Sequence, residues 1–400
     1  MALVEQKLGQ QSRNATQHYN FRDKDSIKNL FYKIKNSEYA NFKNTDFNQK
    51  ITLYGYGDLG KLAFDFLNHE NLNIYRIIDK KFDDKIKQKN KSNIIFSNPG
   101  FIQNESDETC LISIVNSSLA NILKDISNLK FKRVIPFYDF VESYNCNYPI
   151  SNGWFTGALT KKEWGKIDHV INSLSDEKSK ANYIQFLAWR FCRDEYHIHP
   201  FQIIQNRYQP SFLNNIKKKH EAYTDIGSHN GSAFEQIYNF FQRKIYSAYF
   251  FEPDSKNFTL LKKKIKKSSY PSCKLNFFNV SLSNKNGVVK FHDGYNYLSK
   301  ISNYGSVNVK KLTLDEYQII PTLLKIHVEG EELNVLKGSI ETIKYARPII
   351  FVTTYHNIDG LYKIPIFLFK NLLNYTFYFR IHGWFGCSAM LYCIPDERMY

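Results

Sequence analysis

A chain of 400 residues, 43% apolar and 23% charged, is long enough for two ordinary domains and too mixed for a disordered or fibrous protein. Its formal charge of +16 raises nucleic acid or an anionic membrane as partners, but the lysines are scattered, and AT-rich coding inflates Lys together with Phe, Tyr, Asn and Ile. The cysteines at 110, 146, 192, 273, 387 and 393 form no Cys-x-x-Cys pair, the N-terminus lacks an apolar signal core, and no apolar run reaches the ~18 residues of a membrane span; a zinc cluster and a disulfide framework are excluded and a cytoplasmic location is expected.

Residues 1–48 form a polar leader, with a short amphipathic helix expected within 21–39. Ile51-Thr52-Leu53-Tyr54 then reads as a buried strand, followed by Gly55, Gly57 and Gly60 in the spacing Gly-x-Gly-x-x-Gly. Residues 61–67 continue as helix, and 74–78 as the next strand, ending at Asp79, where a ribose-binding carboxylate belongs. Further strands at 93–96, 111–115 and 133–137 give a small parallel sheet, the Rossmann-like domain 49–148. Gly55, Gly57, Gly60 and Asp79 are its candidate nucleotide site. The bland reading is a degenerate module kept as a docking platform.

Residues 149–157 are a turn-rich link that opens a helical linker, 149–220. A helix over 166–189 is expected to break near 174–177, where Ser175, Asp176 and Glu177 look like a helix start.

The stretch Asp225-Ile226-Gly227-Ser228-His229-Asn230-Gly231, with Glu252 about 20 residues on, carries the chemistry of the domain 221–400. It reads as strand, glycine turn, helix, second strand and terminal carboxylate, the way a doubly wound sheet holds an adenosine ligand. Strands are predicted at 223–226, 248–251, 274–279, 323–328, 349–354, 376–381 and 389–394, the last pair antiparallel. The fold class is therefore α/β with two doubly wound Rossmann-like domains. The lysine run 262–267 is expected on a solvated helix face, with peripheral contact to lipid headgroups as the sharper alternative.

The spacing Asp-x-Gly-x-x-x-Gly resembles the first motif of class I S-adenosylmethionine methyltransferases. Lys325-Ile326-His327-Val328-Glu329-Gly330-Glu331-Glu332, with Val335-Leu336-Lys337-Gly338, resembles the K-I-D-V-E-G-x-E signature of FkbM-type methyltransferases. Tyr355-His356 and Ile364-Pro365 resemble that family's next segment, and Leu174-Ser175-Asp176-Glu177 its lead-in; the resemblance covers about 170–400. It implies a seven-stranded methyltransferase sheet, S-adenosylmethionine as cofactor and methyl transfer to a hydroxyl. It also implies an acceptor that is a sugar, nucleotide-sugar or glycan of bacterial surface (capsular or lipopolysaccharide) polysaccharide.

On that reading Asp225 takes the methionine amino group, Ser228, His229 and Asn230 form the turn beside it, and Glu252 takes the ribose. Asn279, Val280 and Ser281 face adenine, with a satisfied loop as the bland reading of Asn279. His327 stands where the family has Asp. It is the first candidate base and His356 the second, each weighed against a histidine that only packs. Glu329 joins them, or caps a helix beginning near Glu331. Their mixed N/O donors would suit a metal, but none is expected. Nucleic acid is not an expected partner, and the sequence leaves the oligomeric state open. The rivals are a nucleic-acid methyltransferase and a nucleotide-responsive module whose catalytic site has decayed.

Overall fold

Runs of β-branched and aromatic residues build two parallel sheets, and amphipathic helices cover their faces. The computed structural model describes residues 10–11, 14–17, 24–40, 50–82, 94–101, 106–144, 148, 150, 152–196, 198–204, 206–268, 270–295 and 298–400. Residues 21–23 of the expected first helix, Asn93, Cys146, and Pro149 and Ser151 of the expected link lie outside these.

The N-terminal sheet has six parallel strands in the order Gln10–Gln11, Phe131–Pro136, Ser106–Ile112, Ile51–Tyr54, Ile74–Ile78, Ile95–Ser97. The strand expected at 111–115 begins earlier, at Ser106, and ends at Ile112. Its first residues are polar, which hid them from a search for apolar runs.

The C-terminal sheet has seven strands: β1 (Glu221–Ile226), β2 (Ile245–Phe251), β3 (Lys274–Phe278), β4 (Leu323–Ile326), β5 (Ile349–Thr353), β6 (Tyr375–Ile381) and β7 (Ala389–Pro395). Their order is β3-β2-β1-β4-β5-β7-β6, with only β7 antiparallel to its neighbours. Alternate residues feed two cores. Ile226, Leu324, Ile326 and Val352 face one, Tyr223, Leu323 and Phe351 the other.

Helix Lys161–Ser173 starts ahead of the expected position because Thr160 and Glu163 close a capping box. Helix Glu177–Phe191 is capped by Asp176, which also pairs with buried Arg380 of β6 at 2.6 Å. Both helices, with Lys24–Lys35, share one hydrophobic core with the C-terminal sheet, so this segment builds that core as well as linking.

Between β3 and β4 lies an unforeseen four-stranded insert: Ser281–Leu282, Gly287–His292, Lys300–Ile301 and Val307–Leu312. Its strands are short, lysine-rich and half exposed, so they carry little hydrophobic signal.

Candidate active site

The turn after β1 is shaped by close approach. Gly227 has φ +73°, and a Cβ there would lie 1.8 Å from the His327 carbonyl oxygen. This glycine lets the β1 turn nest against the end of β4. Gly231, at φ +77°, backs onto Ile265 and Leu261 instead, so it serves helix packing rather than the approach of a ligand. His229 occupies the left-handed region at φ +49°, and its N–H donates to Glu252 Oε2 at 2.6 Å.

Glu252 ends β2 with its carboxylate held by two backbone amides, those of His229 and Asp254 (3.0 Å to Oε1). Each oxygen keeps capacity for a further donor. Burial pushes its pKa up to about 7, against the pull of those amides. Glu252 lines a cleft with Gly227, Ser228, His229, Val280, Ser281, Lys325, His327 and Glu329. A carboxylate with two spare acceptors at this strand end fits a ribose diol, so the donor set suits an adenosine cofactor.

Three of the expected cofactor residues stand elsewhere. Asp225 is fully buried and pairs through Oδ1 with Lys325 Nζ at 2.8 Å; Lys325, not Asp225, lines the cleft. Burial drives the Asp225 pKa up, and the lysine offsets part of that rise. Lys325 stands between the cleft and Asp225, the residue expected to take the methionine amino group directly or through water. Asn279 is exposed and donates to the carbonyls of Glu252 and Pro253 at 2.8 and 3.0 Å, the satisfied-loop alternative. Asn230 accepts from the Ser232 amide at 3.1 Å, fixing the turn outside the cleft lining.

Beyond β4 and β5 the structure brings His327, Glu329 and His356 together. His327 Nε2 and His356 Nε2 each lie 3.3 Å from Glu329 Oε1. Glu329 holds this position at φ +49°, followed by Gly330 at φ +108°. Tyr355 Oη lies 3.2 Å from His327 Nε2. His356 Nδ1 meets Glu332 Oε1 at 2.6 Å, and Glu332 also accepts from Thr353 Oγ1 and the amides of Val328 and Gly330. Helix Glu332–Lys337 starts without a side-chain cap, and Glu332, its first residue, folds back onto the preceding turn.

One cluster drives the two imidazoles in opposite directions. Burial lowers the His327 pKa to about 4, which Glu329 only partly offsets. Burial also works against charge on His356, but Glu329 and Glu332 outweigh it and push the pKa up to about 10. The two carboxylates thus favour the protonated form of His356, while His327 is driven toward the neutral one. The three residues place one donor atom each within 4.8 Å of one another, the mixed set noted in the sequence. Within it, His356 supplies a cation of its own between two carboxylates.

In the N-terminal sheet, Asp79 accepts the amides of Tyr56 (2.5 Å) and Lys81 (2.9 Å). A Cβ on Gly55 would strike Ile114 at 2.5 Å, and one on Gly60 the Gly55 carbonyl at 2.2 Å; around Gly57 there is open space. Phe385, from the β6–β7 connection, packs into the cluster of Tyr54, Ile78 and Ile112 at the strand ends, and the Trp384 N–H donates to the Val115 carbonyl at 2.9 Å.

Sequence reasoning passed over Tyr355, Lys325 and the cleft-lining Arg207. The first two lay inside quoted motifs. Arg207 sits in a loop that carries no motif.

A sheet in the order β3-β2-β1-β4-β5-β7-β6, with an acid ending β2 and a glycine turn after β1, defines a Rossmann-like methyltransferase fold. Residues 225–377 match the methyltransferase FkbM domain, which supports an FkbM-type methyltransferase. The crystal structure of methyltransferase FkbM from Methylobacillus flagellatus KT is similar over 92% of this chain and 98% of that one, with a TM-score of 0.63 and 12% identity, a likeness of fold. A precorrin-6y C5,15-methyltransferase from Geobacter metallireducens GS-15 matches 46% of this chain and 83% of its own, at 11% identity and a TM-score of 0.28, too low to carry an argument. No curated protein matches the chain. Among the described residues, no helix is long and apolar enough to cross a membrane.

Proposed function

We propose that the chain is an S-adenosylmethionine-dependent O-methyltransferase. Its acceptor is a sugar hydroxyl on a nucleotide-activated, lipid-linked or polymeric precursor of bacterial surface polysaccharide, handled in the cytoplasm. The observation that carries this reading is a neutral imidazole, His327, on the wall of the cleft that Glu252 and the Gly227 turn also line. When bound, the cofactor supplies a methyl group already activated on a sulfonium.

The chain's own residues do the rest. Glu252 holds the ribose, Val280 and Ser281 border adenine, and Ser228 and His229 form the turn alongside. As the O–C bond forms and the S–C bond breaks, His327 would take the hydroxyl proton on Nδ1, the ring nitrogen that faces neither Glu329 nor Tyr355. Its Nε2 faces Glu329 at 3.3 Å, which would stabilise the imidazolium that results, and the Tyr355 hydroxyl at 3.2 Å, which orients the ring. His356, clamped by Glu332, holds Glu329 in place. Positioning of this kind contributes several kcal/mol of barrier lowering.

The N-terminal sheet, 49–148 in the proposed division, serves as a docking platform rather than a second nucleotide site. The engaged Asp79 and the inserted Phe385 support that role. Incubation of purified protein with methyl-labelled cofactor and a panel of sugars and nucleotide-sugars tests the function. Label in a sugar methyl ether is expected. No transfer to any sugar, with label entering nucleic acid instead, would overturn it.

A further inference from the structure

Lys325, which lines the cleft beside the Gly227 turn, is already neutralised by Asp225 at 2.8 Å and donates to the Gly227 carbonyl at 2.5 Å. Arg207 lines the same cleft with Tyr208, Gly227, His229 and His327. Its guanidinium lies against the Tyr355 hydroxyl, the same hydroxyl that stands 3.2 Å from His327 Nε2. Among the described residues, no Asp or Glu pairs with Arg207. Among the described residues, then, this cation is left without an oxyanion.

We propose that Arg207 binds the carboxylate of the cofactor's methionine moiety, and so sets specificity for a donor that carries an amino-acid tail. The inference rests on the cofactor reading above. Three observations converge on it. The acid expected to meet the amino-acid end, Asp225, is buried behind Lys325, so recognition there falls to positive groups. A planar fork of N–H donors matches a carboxylate in two-point geometry. Finally, a three-carbon tether joins the sulfonium to the carboxylate, so anchor and base must stand a few ångströms apart; Arg207 and His327 share one tyrosine hydroxyl.

Calorimetry on the full chain tests this with two thioether ligands, S-adenosylhomocysteine, which keeps the tail, and 5′-methylthioadenosine, which lacks it. A charged hydrogen-bonded contact predicts that Arg207→Met weakens S-adenosylhomocysteine by about 10- to 100-fold and leaves methylthioadenosine within about twofold. Arg207→Lys should recover part of the lost affinity. Retained methylthioadenosine binding shows that the variant is folded. An unchanged ratio of the two affinities overturns the inference, as does equal weakening of both ligands in Arg207→Met and Arg207→Gln alike. Wild-type protein that binds neither ligand would instead overturn the cofactor reading itself.

Discussion

Two imidazoles with ring centroids 5.2 Å apart end up with opposite protonation, because Glu332 reaches only one of them. His327, lowered to about 4, stays neutral across the working range, so its lone pair is available from about pH 5 upward. Its removal in His327→Ala should lower kcat about 100-fold while cofactor affinity holds; an unchanged kcat would take it out of the mechanism. Glu252 contributes a different signature. Its folded pKa of about 7 means that the carboxylate is half protonated at neutrality and loses acceptor capacity for the ribose hydroxyls as pH falls. Cofactor affinity should therefore weaken below pH 7 and level off above about pH 8, while kcat at saturating cofactor stays flat. Glu252→Gln should abolish that knee. Titration calorimetry at a series of pH values reads it directly, and a knee that survives the substitution would assign it to another group.

At the scale of elements, the wall of the cleft depends on one buried aspartate. Asp254 caps helix Ser255–Lys267 by accepting the Asn257 amide at 2.7 Å, and its other oxygen accepts Ser299 Oγ at 2.6 Å and the Gly294 amide at 2.5 Å. The helix cap thus ties down the insert that brings Ser299, Lys300 and Ile301 to the cleft. Asp254→Ala removes a cap worth about 1 kcal/mol and charged hydrogen bonds worth about 1.5–3 kcal/mol each. Chemical denaturation should register a loss of roughly 4–7 kcal/mol, and cofactor affinity should drop with it. A stability loss with unaltered affinity would separate the insert from the cofactor cleft. The seven strands of the large sheet were legible in sequence because each is an apolar run bounded by turn residues. The insert was not, because its strands are two to six residues long and half exposed. The motif glycines and acids located the site, but not the division of labour within it. That Asp225 turns to Lys325, and that Glu332 folds back to charge His356, depends on contacts made only when β1, β4 and β5 lie side by side.

Across the whole molecule, the β6–β7 connection links the two sheets and carries more apolar surface than a hairpin needs. Between β6 and β7, Trp384 sits against Trp189 and Phe201 with centroids 6.1 and 6.0 Å away, while Phe385 enters the core of the N-terminal sheet and is 3% exposed. Phe385 adopts φ +61°, a left-handed conformation unfavourable for an aromatic residue, so packing must outweigh local strain. Cys387 and the Gly386 carbonyl extend the contact, the first in the core around Phe66 and Phe137, the second accepting Arg190 Nη2 at 2.9 Å. A connection of this kind makes the N-terminal sheet and the methyltransferase sheet one cooperative unit, because neither core is complete without it. Phe385→Ala leaves a cavity in the N-terminal core and should cost about 3–5 kcal/mol, with no relief of the left-handed backbone because alanine keeps the Cβ. The loss should fall first on the N-terminal sheet. Hydrogen exchange in Ile51–Tyr54 and Ser106–Ile112 is expected to accelerate more than in β1 and β4, and thermal unfolding, expected to be a single transition in the wild type, should separate into two. If Phe385→Ala unfolds in one step with protection lowered equally in both sheets, the coupling runs through the shared helices Lys161–Ser173 and Glu177–Phe191 instead.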